Sequence, residues 1–347
     1  MNKEINIGKF TIGNNHKPFI IAEMSGNHNQ SLERALELVD AAAAAGAHAL
    51  KLQTYTADTI TMKGVLTIQD KNSLWNGQEL HDLYKMAHTP WEWHKAIFER
   101  AKEKGMVSFS SPFDETAVDF LETLNVPAHK IASFENTHLP LLKKVAATGK
   151  PVIVSTGVAT IADIDECVRT LKDAGCKDII LLKCTSTYPA SPENTNLLTV
   201  PHLANLHNCI VGLSDHTMGV GASVGAVVLG ARVIEKHFTL RRADGGVDSA
   251  FSLEPEELKL LVTETERAFL ALGKIQYGVQ PAEQRSLEFK RSIYVSKDIK
   301  AGDVLSAENL KIIRPAHGLA PKHWDTVVGR KALTDLKAGT PLNWSAI

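Results

Sequence analysis

The chain is expected to form a (β/α)8 TIM barrel of the α/β class, followed by a small β-rich domain. Three observations lead there. Short β-branched apolar runs alternate with helix-length stretches eight times over about 250 residues, the period of a closed barrel. The ends of those runs carry polar and charged groups. After Gly273 the period breaks and short alternating runs with turn residues take over. An open doubly wound sheet is the rival, but no G-x-G-x-x-G fingerprint follows the first strand.

Residues 4–12 (EINIGKFTI) alternate around a glycine and are expected to form a hairpin ahead of the barrel. FIIAEM (19–24) is the first strand. SLERALELVDAAAAAGA (31–47) is a helix with Ser31 as N-cap and Gly46 as its stop. HALKLQTY (48–55) is a strand, and 56–88 is a long mixed insertion of the kind that is usually functional. TPWEWHKAIFERAKEKG (89–105) is a helix with Pro90 in its first turn. Strands follow at 106–113, 129–135, 151–157 and 178–189, with helices at 114–125, 139–149, 161–175 and, more weakly, 194–207. CIVGLSDH and RVIEKHF are the last two strands, joined by a small-residue helix, and 254–272 closes the barrel as an amphipathic helix. The expected domains are therefore 1–274 for the barrel with its hairpin, 275–290 for a polar linker, and 291–347 for the small domain. Within the small domain, Lys-Ala-Gly occurs twice, each time after an acid.

Composition narrows the class. At 347 residues, 44% hydrophobic and 22% charged, the chain is an ordinary globular protein. A formal net charge of -1 offers no case for nucleic acid or an anionic membrane. Four cysteines without CxxC or zinc spacing fit a reducing compartment. MNKEINIGKF has no signal-type apolar core and no run reaches membrane-spanning length, so a cytoplasmic protein is expected.

In a (β/α)8 barrel the active site lies at the C-terminal strand ends. Here those ends bring Glu23, Lys51, Gln53, Ser111, Lys130, Ser133, Glu135, Ser155, Ser186, Tyr188, Ser214, His216, Glu235 and His237. Lysines with hydroxyls suit a phosphate or carboxylate anion. His216 and His237 end neighbouring parallel strands and can sit side by side, as metal ligands or as structural, hydrogen-bonding histidines. Lys236 falls between inward positions and should face outward. Lys183 is placed out of phase with Thr185, toward the helix layer, and Cys184 is taken as a small core residue.

SDHT (214–217) with EKHF (235–238), IAEMSGNHNQSLERA, KLQTY, KIASFE, STG and KCTSTYP together resemble the sialic acid synthase family. The segment from about 291 resembles that family's antifreeze-like (SAF, β-clip) domain, so the resemblance spans essentially the whole chain. It implies condensation of phosphoenolpyruvate (PEP) with an open-chain N-acetylated amino sugar and loss of phosphate. SFSSPF, KIASFE, LYKMAHTPWEWH and VDSAFSLEP direct the choice toward 2,4-diacetamido-2,4,6-trideoxy-L-altrose. The alternative is N-acetylmannosamine or a diacetamido relative.

The resemblance also implies a divalent metal on His216 and His237, Mn2+ first, with Mg2+ or Co2+ as alternatives. Lys51, Ser111, Lys130, Ser133, Ser155, Ser186 and Ser214 would hold PEP. Gln53, Tyr188 and Asp248 would hold the sugar, with Phe134 packing on its deoxy carbon. Glu23 and Glu135 would position water and move protons, or stabilise the cationic centre. The implied assembly is a homodimer whose small domain covers the partner's active site, with Arg314 and, more weakly, Phe289 reaching the sugar.

Overall fold

The computed structural model describes residues 3–71 and 73–347. The chain divides into two compact units, Met1–Gly273 and Lys274–Ile347.

The first unit opens with an antiparallel hairpin, β1 (Glu4–Ile7) and β2 (Phe10–Gly13). Gly8 turns it at φ +58, a conformation glycine adopts without strain. Eight strands follow: β3 (Phe19–Glu23), β4 (Ala49–Thr54), β5 (Val107–Pro112), β6 (His129–Ile131), β7 (Val152–Ser155), β8 (Ile179–Cys184), β9 (Ile210–Ser214) and β10 (Val233–His237). They pair in parallel and in order, and β10 pairs with β3 to close the barrel, as the sequence pattern indicated.

The helices between strands pack their apolar stripes on the outside. In α1 (Leu32–Ala44), Ala35, Leu38, Val39 and Ala42 are buried at helical spacing, and the Ser31 hydroxyl caps the Arg34 N–H. At the start of the helix Ile161–Asp173, Thr160 and Asp163 form a capping box. The closing helix, Pro255–Leu272, begins with proline in its first turn.

Two local expectations change. The 129–135 strand is shorter: β6 ends at Ile131, and Ser133–Glu135 is a single 3-10 turn. The 56–88 insertion contains two helices, α2 (Ala57–Ile60) and α3 (Leu80–Ala87). Leu83 and Ala87 are buried from α3, four residues apart, too short a stripe to announce a helix amid polar sequence.

Strand alternation organises the interior. At the N-terminal ends, Phe19, Ile21, Ala49, Phe109, Ala128, Ile153, Leu182 and Val233 form an inner apolar cluster with Ile5, Ile7 and Ile12 of the hairpin. Two residues further along each of those strands, or of the segment leading into β6, stand Glu23, Lys51, Ser111, Lys130, Ser155, Cys184 and Glu235, all buried. The barrel is thus apolar at one end and a ring of charges and hydroxyls at the other.

In the second unit β11 (Ser292–Val295) pairs antiparallel with β12 (Leu310–Ile313). Ile293, Val295, Ile299, Leu305, Val327 and Leu342 belong to its core. The repeated Lys-Ala-Gly turns are reciprocal. Asp335 accepts from the Ala301 N–H at 2.9 Å and Lys300 at 2.6 Å, while Asp298 accepts from the Ala338 N–H at 2.9 Å and Lys337 at 2.7 Å. The duplicated motif therefore fastens two related turns to each other.

Candidate active site

The ring at the C-terminal strand ends is a charge network. Lys51 Nζ lies 2.7 Å from Glu23 Oε2 and 3.7 Å from Glu235 Oε2. Lys130 Nζ lies 3.4 Å from Glu235 Oε1 and donates to Ser155 Oγ at 2.8 Å. Lys51 also donates to Ser111 Oγ at 3.3 Å, and Ser214 to Glu235 at 3.1 Å. Glu235 is the hub, reached by both lysines. Sequence reasoning placed it at a strand end but gave it no role, although its inward position follows from alternation with His237.

Burial raises the pKa of Glu23, against the pull of Lys51. Burial works the same way on Glu235, but Lys130 and Lys51 outweigh it and hold that carboxyl low. For Lys51 the burial penalty is outweighed by Glu23 and Glu235, which raise it; for Lys130 burial prevails and lowers it.

Next to this ring is a cradle of hydroxyls. The Gly157 N–H donates to Ser133 Oγ at 3.2 Å. A Cβ at position 157 would lie 2.1 Å from Ser186 Oγ and 2.7 Å from Ser133 Oγ, so only glycine leaves room there. Lys130, Ser133, Ser155 and Ser186 thus converge as hydrogen-bonding groups around one backbone turn, a fit for tetrahedral phosphate oxygens.

The two histidines do sit together, with ring centroids 5.4 Å apart. His216 Nδ1 lies 3.0 Å from the Thr185 carbonyl oxygen. A carbonyl only accepts, so Nδ1 carries the proton and Nε2 keeps its lone pair. Buried His237 Nδ1 has no hydrogen-bond partner, and Asp248 Oδ2 is 3.7 Å away. Burial, with His216 and the nearby lysines, drives the His237 pKa well below the ordinary value, so the ring is neutral. His216, held through Nδ1 by a carbonyl, and neutral His237, with an orphaned nitrogen, offer a pair of imidazole donors that fits a divalent metal. Among the described residues no group of three or more His, Cys, Asp or Glu forms a complete metal cage. Two imidazoles would leave positions open for substrate and water.

Cys184 is more than filler. Its Sγ lies 3.9 Å from His216 Nδ1 and 3.7 Å from Ser186 Oγ. Burial disfavours charge on both Cys184 and His216, yet their pairing outweighs it, lowering the thiol to about 7 and raising the imidazole. Lys183 faces outward as expected, but in phase with Thr185, to whose hydroxyl it donates. Residues i and i+2 share a strand face, which the sequence reading misjudged. Lys236 also faces outward, buried against Asp215 at 2.9 Å.

Above the ring opens a cavity of about 550 Å³ whose lining includes Gln53, Phe134, Glu135, Tyr188, His237 and Asp248. Gln53 donates to Glu23 Oε1 at 3.0 Å and to Ser25 Oγ at 3.1 Å, and Ser25 donates to Asp248. Tyr188 packs on His216 with centroids 4.5 Å apart. Glu135 Oε2 is buried without a partner, and burial lifts this carboxyl to about 7, despite Lys130. Phe134, on the same turn, is 62% exposed at the mouth. Arg314 and Phe289 belong to the second unit, both exposed, the former just after β12 and the latter at the end of a 3-10 helix. Ser25 and Trp75 also line the cavity; neither ends a strand, so the strand-end rule did not reach them.

Residues 38–277 match the NeuB family, and residues 290–347 match the SAF domain. The chain is 44% identical to a pseudaminic acid synthase of Campylobacter jejuni, over 97% of this chain and 98% of that protein. It is 42% identical to the pseudaminic acid synthase of Helicobacter pylori, over 94% and 96%. Among solved structures it resembles an N-acetylneuraminic acid (sialic acid) synthetase from Leptospira borgpetersenii in complex with citrate, at TM-score 0.73 and 35% identity, covering 83% of this chain and 96% of that one. The spore coat polysaccharide biosynthesis protein SpsE of Bacillus subtilis aligns over 99% of both chains at TM-score 0.68 and 33% identity.

Proposed function

Because the chain belongs to the NeuB family and carries a SAF domain, we propose that it is a pseudaminic acid synthase. It condenses PEP with open-chain 2,4-diacetamido-2,4,6-trideoxy-L-altrose and water, giving pseudaminate and phosphate. The observation that carries this reading is 42–44% identity to pseudaminic acid synthases over nearly the full chain. The Ser133 and Ser186 hydroxyls against Gly157, with Lys130 on Ser155 two residues before it, support the PEP half.

The bond that forms joins C3 of PEP to the aldehyde carbon. The aldehyde oxygen takes a proton, water supplies the hydroxyl at C2, and the C2–O bond to phosphate breaks. Lys130 and Ser155, with Ser133 and Ser186, bind the phosphate; Lys51, Ser111 and Ser214 hold the rest of PEP. Attack develops positive charge at C2, and Glu23 and Glu235 lie in the ring where such charge is stabilised. Glu23 is engaged by Lys51 and Gln53, whereas Glu135 has a free oxygen and a pKa of about 7. We therefore assign proton transfer from the attacking water to Glu135. Gln53, Tyr188 and Asp248 orient the sugar, with Phe134 at the mouth.

Sialic acid synthases are in general metal-dependent. Here His216 and His237 would hold a divalent cation, Mn2+ ahead of Mg2+ or Co2+, which when bound supplies Lewis-acid polarisation of the aldehyde oxygen. The assembly in this reading is a homodimer in which each SAF domain covers the partner's site and offers Arg314 and Phe289 to the sugar. No described helix is long and apolar enough to cross a membrane, in keeping with a cytoplasmic enzyme of glycan biosynthesis.

The test is direct. The enzyme is incubated with the diacetamido sugar and PEP carrying heavy oxygen at the bridging position. This reading predicts pseudaminate and phosphate that retains the label. A nonulosonic acid formed only from N-acetylmannosamine or a legionaminate precursor would favour the sibling synthases instead.

A further inference from the structure

We infer that Trp75 is a specificity-determining residue, setting the wall against which the sugar's far carbons lie. This deepens the synthase reading and rests on it. The cavity has two unlike ends. The strand-end side contributes His237, Asp248, Gln53 and Ser186; the 56–88 insertion contributes Ile68, Trp75, Leu83 and Tyr84, with Asp70 and Ser73 as its polar members.

Trp75 is tied to the polar end at two points. Its indole N–H donates to the Val247 carbonyl oxygen at 3.0 Å, one residue before Asp248. Its ring centroid is 6.1 Å from that of Tyr188, which in turn packs on His216. The orientation of the insertion's wall is therefore coupled to the loop that carries Asp248. Phe134, which lines the same cavity, is 62% exposed.

An open-chain sugar with its aldehyde at the two histidines must run its remaining carbons along this wall. Against Ile68, Leu83 and the indole face a terminal methyl loses water at a gain, while a hydroxymethyl keeps its hydrogen bonds only where it turns from that face toward Asp70 or Ser73. The phenols of Tyr55 and Tyr84, also in the lining, remain for the acetamido groups. Trp75 would thus discriminate the deoxy terminus from the hydroxylated one.

The experiment uses the full-length enzyme as wild type, Trp75→Ala and Trp75→Phe. KM and kcat are measured for PEP, for the diacetamido-trideoxy sugar and for N-acetylmannosamine, whose chain ends in hydroxymethyl. Trp75→Ala should raise KM for the deoxy sugar by about 10-fold and cut its advantage over N-acetylmannosamine by a similar factor. The KM for PEP should stay within about two-fold, a split that general loosening would not produce. Trp75→Phe keeps a ring but loses the donor, and should fall between; it also serves if the alanine variant fails to fold. Sugar-dependent quenching of tryptophan fluorescence should be present in wild type and reduced in Trp75→Phe. Unchanged sugar KM and preference in the variants overturn the assignment while leaving the synthase reading intact. No phosphate release by wild type with any amino sugar overturns both.

Discussion

The Nδ1 of His216 lies 3.0 Å from the backbone carbonyl oxygen of Thr185. That hydrogen bond fixes the tautomer and turns Nε2 into an acceptor. Beside it His237 is neutral and has a buried nitrogen without a partner. In the proposed reading the two rings share one divalent cation. Substituting His237→Asn should weaken Mn2+ binding by at least about 10-fold, read by the electron paramagnetic resonance of free Mn2+. Binding as tight as wild type in both His237→Asn and His216→Asn would place the metal elsewhere.

Lys130 is buried between Glu235 and Ser155. Replacing it with methionine strands part of a buried carboxylate's charge, a loss of about 3–5 kcal/mol in stability. Adding Glu235→Met should recover most of that loss in denaturant melts, because a neutral pair replaces a charged one. The double variant should still fail to bind PEP. Recovery of turnover along with stability would remove Lys130 from the PEP site.

Burial raises the Glu135 pKa to about 7 from an ordinary value of 4.5. As the group that takes a proton from water, it should give an activity limb falling below about pH 7, absent from the residual activity of Glu135→Gln. The stability effect has the opposite sense. Between pH 4.5 and about 7 the folded state holds a proton that the unfolded state has lost, so this group's contribution falls as pH rises. Glu135→Gln should therefore be more stable than wild type at pH 8, relative to their difference at pH 4. Thermal melts at the two values check it.

If the SAF domain serves the partner's site, two inactive variants should complement. Arg314→Ala spoils the contributed arm and His237→Asn spoils the barrel. Unfolded and refolded together in equal amounts, they give mixed dimers in about half of the molecules, each with one intact site, so about a quarter of wild-type activity returns. No recovery from two inactive variants would place Arg314 in its own subunit's site, and wild-type activity of Arg314→Ala alone would place it outside any site.

Much of this was legible in the sequence because two periodicities did the work. Period-two alternation from His237 back to Glu235, and from Gln53 to Lys51, marks the inward face without any knowledge of the partner strands. Closure of the barrel follows from eight such strands, each needing a neighbour. The SAF turns were visible as a repeated tripeptide, and the structure adds the reason, an aspartate from each turn capping the other.

What was missed lies where neither period applies. Ser133–Glu135 left the strand for a 3-10 turn, so Phe134 sits at the cavity mouth while Glu135 keeps an orphaned oxygen. Cys184 is a buried core residue as its strand position indicated, but its contact with His216, 32 residues away in sequence, had no local signal. Trp75 acts through a bond to Val247, 172 residues distant, and nothing in its own segment signals that.

The proposed chemistry is PEP-dependent synthesis at a metal-bearing histidine pair. It is tested most directly by phosphate release from PEP across a panel of 2-acetamido sugars, with and without a chelator. Release should need both the sugar and free divalent metal, be largest with 2,4-diacetamido-2,4,6-trideoxy-L-altrose, and return when Mn2+ is restored. Release that is indifferent to chelator, or absent with every sugar, would contradict it.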